Sequence, residues 1–265
     1  MNPQKSAFLT SKKESYSSKT HHVSRQEEKE EKQKDNIVDY SKDLYTFDFR
    51  QLLEWEYDPS DFDPFEFIAN VPDKDSLPNH LKVKKICIPK KSAHTPRVTL
   101  VLDLDETLVH CSTVPIKKAD FVFPVNFNNT EYQVYVRKRP YFELFLKEVC
   151  KMFEVVVFTA SHSVYASKLL DLLDKNHEYI HHRAYRDSCL PVEGNYLKDL
   201  CVLGRNLATT CIIDNSPQAY AFQLHNGIPI HSWYEDETDD ELLKLLPFLK
   251  KLSQSEDVRP LIRQK

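Results

Sequence analysis

The sequence is 265 residues long, 41% hydrophobic and 29% charged, with a formal net charge of −4. Those values fit a chain with a packed core, and the net charge gives no electrostatic reason to expect direct nucleic-acid binding, which usually needs a strongly basic face. Glycine occurs only at Gly194, Gly204 and Gly227, so neither G-x-x-x-x-G-K-[ST] nor G-x-G-x-x-G is present, and a glycine-built phosphate loop is excluded.

Residues 1–43 are polar, rich in Lys, Glu and Ser, and nearly free of core-forming side chains; they read as a disordered tail. Met1–Lys13 has no apolar stretch of the kind a secretory leader requires. No run in the chain approaches the ~18 apolar residues that span a bilayer. Six cysteines carry no CxxC spacing and read as reduced thiols. A soluble intracellular protein, nuclear or cytoplasmic, without membrane contact is the expectation; Lys84-Lys85 and Lys90-Lys91 are too sparse for a nuclear address.

Residues 44–96 form an arm and linker. From Leu44 to Ile68 aromatic residues alternate with acids. The expectation for Phe62–Ile68 is that the rings lie on the main domain; Leu44–Tyr57 is left unassigned. Docking to a partner protein is the sharper alternative, because acidic-aromatic segments suit grooves on other proteins. A Pro- and Lys-containing linker, about Pro72 to Pro96, leads into the main domain at residues 97–265.

That domain opens with Arg97–Leu102, an apolar run expected as a strand buried on both faces. Phe121–Phe127 and Glu131–Arg137, separated by Asn128-Asn129-Thr130, read as a hairpin. Pro140 is placed at the first position of a helix that buries Phe142, Phe145, Leu146 and Val149. Phe153–Phe158 is the second buried strand. Ser161 or Ser163 is expected to cap the next helix, whose stripe includes Tyr165, Leu169, Leu172 and Leu173. Cys211–Ile213 is the third strand, and Leu242, Leu246 and Leu249 line a last helix with a kink at Pro247. Strands alternating with helices predict an α/β fold: a parallel sheet flanked by helices, with a small hairpin inserted after the first strand.

In such sheets ligands bind beyond the carboxyl ends of the strands. The three apolar runs end in Asp103-Leu104-Asp105-Glu106-Thr107, in Thr159-Ala160-Ser161 and in Asp214-Asn215, with Tyr196-Leu197-Lys198-Asp199-Leu200 between the last two. Taken singly, Asp or Ser after a strand is most often a helix cap or a turn. Together, three acids on one edge would repel one another by several kcal/mol unless a cation joined them. Asp, Asn and carbonyl oxygens suit Mg²⁺, and Mg²⁺ with Lys198 could hold a phosphate dianion beside a carboxylate.

The run Asp103-Leu104-Asp105-Glu106-Thr107-Leu108-Val109-His110 resembles the signature of the haloacid dehalogenase superfamily. More narrowly it is similar to the branch holding the small phosphatases of the RNA polymerase II C-terminal domain. The likeness continues through Gln133–Val136, Phe158–Ser161, Tyr196–Leu200 and Ile213–Pro217 and ends near Glu256–Pro260, spanning roughly residues 61–263. It is most similar to the "small phosphatase-like 2" subgroup. The resemblance implies a HAD-like Rossmannoid fold and an Mg²⁺-dependent phosphatase acting on phosphoserine or phosphothreonine of a phosphorylated protein. It implies Asp103 as nucleophile, Asp105 as proton donor and then acceptor, and Thr159 and Lys198 on phosphate oxygens. Metal ligands would come from Asp103, the Asp105 carbonyl and Asn215, with Asp214 orienting Lys198 or a metal-bound water. On the substrate side it implies Arg186, Tyr165 and an apolar wall of Val125, Phe127 and Val134. Thr113 and His162 depart from the aromatic and aliphatic residues of those enzymes, which puts polymerase-tail activity in question.

A cysteine phosphatase needs a low-pKa Cys with Arg six residues on; the residues six after Cys111, Cys150 and Cys189 are Lys117, Val156 and Asn195. A non-catalytic module of the same fold is disfavoured because Asp103 and Asp105 are both present. A small-metabolite phosphatase is disfavoured because about 20 residues of hairpin make a poor lid.

Overall fold

The computed structural model describes residues 62–78 and 85–265. The expected tail and the acidic-aromatic stretch before Phe62 lie outside the described residues. The first element is a short helix, α1 (Pro64–Asn70), with Asp63 as its cap accepting from the Phe65 N–H at 2.8 Å and Pro64 at the first turn. Phe67 on its inner face is buried with Leu77 against Leu190, Val192 and Leu197, and Phe62 packs at the edge of that cluster. Phe65 points to solvent.

The central sheet is built from β1 (Thr99–Leu102), β5 (Glu154–Phe158), β6 (His182–Ala184), β9 (Thr210–Asp214) and β10 (Gly227–Pro229) in the order β10-β9-β1-β5-β6, every pairing parallel. β1, β5 and β9 are buried at every residue, as strands covered on both faces must be. Between β1 and β5 runs a second sheet, β2 (Val109–Ser112), β3 (Phe121–Phe127) and β4 (Thr130–Lys138), ordered β2-β4-β3 and antiparallel. The insertion is therefore three-stranded rather than a hairpin, because residues immediately after the Asp103–Thr107 loop also pair with β4. Its β3–β4 turn is Asn128-Asn129, both at positive φ (49° and 61°), the two-residue turn that matches strand twist.

Two helices follow these sheets, α2 (Phe142–Met152) and α3 (Ser163–Leu173), and α4 (Glu241–Gln254) packs against α2. α2 starts two residues later than Pro140 suggests, because Tyr141 takes a left-handed conformation (φ 65°) ahead of it. Neither Ser161 nor Ser163 caps α3; His162 occupies the cap position and makes no side-chain cap bond. α4 runs through Pro247, which sits on its exposed face, and buries Leu242, Leu245, Leu249 and Leu252. A small hairpin of β7 (Leu190–Val192) and β8 (Asn195–Leu197) turns at Glu193-Gly194, both at positive φ; β8 ends one residue before Lys198. Among the described residues no helix is long and apolar enough to cross a membrane, and all six cysteines are free thiols.

At the amino-terminal foot of the sheet, fully buried Glu154 gathers a charge cluster. Its carboxylate accepts from Thr99 at 2.7 Å and from Arg205 at 2.7 and 2.8 Å, with Lys91 and His182 each 3.3 Å away.

Candidate active site

The opposite end of the same strands forms a cleft of about 560 Å³. β1 delivers Asp103, β5 delivers Thr159, β9 ends in Asp214, and β8 leads into Lys198; all four are buried. Lys198 Nζ donates to Asp103 Oδ1 at 2.5 Å and to Asp214 Oδ2 at 2.6 Å. Burial alone would lower the Lys198 pKa, but the two carboxylates outweigh it and hold the lysine charged. The other Asp214 oxygen accepts from the Ser216 N–H at 2.8 Å.

Asp105 stands two residues on, its side chain on a separate set of donors. Tyr165 Oη donates to Asp105 Oδ1 at 2.6 Å and lies against the Cys111 sulfur; Ser161 Oγ donates to Asp105 Oδ2 at 2.8 Å, and Thr159 Oγ1 lies 3.4 Å from the same oxygen. Burial, and then the neighbouring Asp103 charge, raise the Asp105 pKa against the pull of these hydrogen bonds. The two carboxylates thus sit in one cleft in different settings, one ion-paired and one hydrogen-bonded by hydroxyls.

The loop that carries them is held from behind. Glu106 adopts φ 56°, with its N–H on the Val109 carbonyl and its carbonyl accepting from the Trp233 N–H. Fully buried Arg139 donates to both oxygens of Asp239 at 2.8 Å and to the Thr107 and His231 carbonyls, tying this loop to residues 231–239. His110 Nδ1 lies 3.3 Å from Glu106 Oε1, and its ring meets the edge of Tyr234.

The charges in the cleft do not balance. Asp103, Asp105 and Asp214 converge against Lys198 and, on another wall, Arg186. Burial and then Asp103, opposed by Lys198, push Asp214 up to about 7. A divalent cation fits this excess. Asp103, the Asp105 carbonyl and Asn215, whose Oδ1 accepts from Thr107 at 3.3 Å, are the hard-oxygen donors that would hold it. Among the described residues no three His, Cys, Asp or Glu side chains converge into a ready cage, so water would complete the shell, as Mg²⁺ prefers.

The substrate-side expectations change. Val125 and Val134 are buried in the core beneath β3 and β4 and present no accessible wall. Strand alternation turns Phe123 and Val125 toward α3 while Val122 faces solvent. Phe127 remains half-buried, with its ring centroid 5.1 Å from that of His162. Tyr165 lines the cleft, but its hydroxyl belongs to Asp105. Arg186 also lines it, its guanidinium 4.5 Å over the Tyr196 ring and its Nε donating to the Ala160 carbonyl. Sequence reasoning missed Ser161, which serves Asp105 instead of a helix end. It also missed Arg139, an arginine directly after a strand whose spacing gave no signal.

Residues 98–259 match the model of a family described as NLI interacting factor-like phosphatase. The chain is 56% identical over 205 residues to "CTD small phosphatase-like protein 2" of Dictyostelium discoideum, covering 77% of this chain and 35% of that protein. It is 48% identical over 217 residues to "CTD small phosphatase-like protein 3" of Caenorhabditis elegans, covering 81% of this chain and 75% of that one. With the human "Carboxy-terminal domain RNA polymerase II polypeptide A small phosphatase 1" it shares 42% identity over 73% of this chain and 74% of the other. The chain thus spans about a third of the length of the Dictyostelium relative and about three quarters of the other two.

Proposed function

The chain belongs to the NLI interacting factor-like phosphatase family, and from that premise we propose that it is an Mg²⁺-dependent phosphatase of phosphoserine and phosphothreonine in proteins, working through a phosphoryl group carried on Asp103. The observation that supports this reading most is the pairing of buried Lys198 with Asp103, beside a second carboxylate held by hydroxyls.

Asp103 uses its unpaired oxygen to attack phosphorus. As that P–O bond forms, the bond from phosphorus to the serine or threonine oxygen breaks, and protonated Asp105 gives its proton to the departing alkoxide. Asp105, now a carboxylate, takes a proton from water; the hydroxide formed attacks phosphorus, the Asp103–phosphorus bond breaks, and phosphate leaves. Lys198 and the Thr159 hydroxyl neutralise phosphate oxygens through both halves, and Asp214 keeps Lys198 aimed. Mg²⁺, when bound by Asp103, the Asp105 carbonyl and Asn215, supplies further positive charge to those oxygens.

The substrate is a phosphorylated protein. The names of the relatives make repeats of the RNA polymerase II C-terminal domain one arm of any panel, and the shielded Phe127–His162 face argues for testing beyond it. Purified protein is expected to hydrolyse p-nitrophenyl phosphate and phosphopeptides with Mg²⁺ and to stop on chelation. Asp103→Asn is expected to abolish turnover with its melting temperature kept; full rate in that variant overturns the assignment. Turnover of sugar phosphates without phosphopeptides would favour a small-metabolite phosphatase.

A further inference from the structure

We propose that Ser232 is a positioning residue: it anchors the far end of the Asn215 amide, and thereby sets how tightly the cleft holds a divalent cation. The inference rests on the metal site of the reading above and gives a task to a residue outside the strand ends that carry that site.

An asparagine amide has an oxygen at one end and an NH2 at the other, and only the oxygen can meet a cation. Both ends of Asn215 are held. Thr107 Oγ1 donates to its Oδ1 at 3.3 Å, and its Nδ2 donates to Ser232 Oγ at 2.9 Å. The NH2 is thus spent on Ser232, while the oxygen keeps a second lone pair beyond the one Thr107 uses. Contacts at opposite ends fix the plane of the amide. Without Ser232 the group would hang on the longer contact alone and could rotate out of register. Asn215 is on the lining of the cleft and Ser232 is not, so the effect of Ser232 on a bound cation passes through Asn215.

Ser232 is exposed, yet its backbone is held on both sides. The Ile230 N–H donates to the Asp214 carbonyl at 3.2 Å, which carries the β9–β10 pairing up to the cleft. The His231 carbonyl accepts from buried Arg139 at 3.0 Å. On the other side the Trp233 N–H donates to the Glu106 carbonyl at 2.8 Å, and the Trp233 ring is buried with its Nε1 on the Asp236 carbonyl. Thr107, the other anchor, is fully buried, and its carbonyl accepts from the same Arg139 guanidinium at 3.1 Å. One arginine therefore fixes the backbone behind both hydroxyls that grip Asn215. A ligand oriented this way before the cation arrives has little to reorganise, and losing such an outer partner commonly weakens metal binding by about 10- to 100-fold.

The test uses the full chain and Mn²⁺, which suits the same oxygen donors. Free Mn²⁺ is counted by electron paramagnetic resonance with no substrate present. Ser232→Ala is expected to raise the Mn²⁺ Kd by about 10-fold, and Ser232→Thr, which keeps the acceptor, to stay within about 3-fold of wild type. In an Asn215→Ala background, Ser232→Ala is expected to change the Kd by less than about 2-fold, because the group it acts through is gone. The metal-free melting temperature of Ser232→Ala is expected to match wild type; a residue serving only the fold would lower it and would cost the same in both backgrounds. A wild-type Kd in Ser232→Ala, or an equal loss repeated in the Asn215→Ala background, overturns the inference and leaves the phosphatase reading standing. Mn²⁺ binding that follows this pattern without turnover of any phosphopeptide would sink the phosphatase reading and leave the role of Ser232 intact. A wild type that binds no Mn²⁺ overturns both.

Discussion

Lys198 Nζ sits between Asp103 Oδ1 and Asp214 Oδ2, 2.5 and 2.6 Å away, with all three side chains buried. A buried ammonium held by two carboxylates is charged and immobile, so it can meet a phosphate oxygen without reorganising. Lys198→Gln removes that charge and is expected to lower kcat on p-nitrophenyl phosphate by about 10²–10³. Steady-state kinetics with Mg²⁺ check it, and a variant within 3-fold of wild type would remove Lys198 from the mechanism.

Tyr165 is bound into the same machinery through Asp105. Tyr165→Phe keeps the ring and loses the donor at 2.6 Å. A hydrogen bond to a charged group contributes about 1.5–3 kcal/mol, so kcat is expected to fall by about 10- to 100-fold with KM nearly constant. Ser161→Ala is expected to act in the same direction and less than additively, because both hydroxyls serve one carboxylate.

Glu154 sets a pH dependence of stability. Burial alone would raise its pKa; the hydrogen bonds from Arg205 and Thr99 and the charge of Lys91 outweigh it and bring it from 4.5 to about 2. A folded-state pKa below the unfolded one means the stabilisation is whole above about 4.5 and is lost as pH falls toward 2. It amounts to about 3 kcal/mol at neutral pH. Urea unfolding at pH 7, 5 and 3 is expected to show a steep acid loss in wild type and a shallower one in Glu154→Gln. The variant starts less stable, because Arg205 is left buried without its partner charge. Equal slopes would show that Glu154 titrates alike in both states.

Gly227 is set by contact rather than by backbone torsion. A Cβ there would lie 2.0 Å from the buried Tyr220 ring. Gly227→Ala is expected to cost about 1–3 kcal/mol, seen as a melting point several degrees lower. Tyr220→Leu in the same chain should recover part of the loss. An unchanged melting temperature would mean that the ring moves freely aside.

The sequence was most legible where physics is local. β1, β5 and β9 announce themselves as apolar runs because both their faces are covered, and the polar residue after each run lies at the cleft. The β3–β4 turn was legible because Asn128-Asn129 tolerates positive φ. Legibility failed where a residue has two plausible partners separated only by tertiary contact. Ser161 could cap a helix or serve Asp105, and 56 residues of chain separate it from that carboxylate. Strands β6, β7, β8 and β10 are three residues each, too short for alternation to register. Val125 and Val134 came to the substrate wall from the resemblance alone; both are buried in the core, and the sequence could not show this, because alternation tells that a strand has two faces without telling which one α3 covers.

β1 touches both ends of this design: Thr99 lies in the Glu154 cluster and Asp103, just past Leu102, in the cleft, about 13 Å apart along an extended backbone. Damage at the first end shortens how long a molecule survives; damage at the second stops what a surviving molecule does. Two inactivating substitutions only four positions apart can therefore look alike in a cell extract and part company once turnover is divided by the amount of folded protein present.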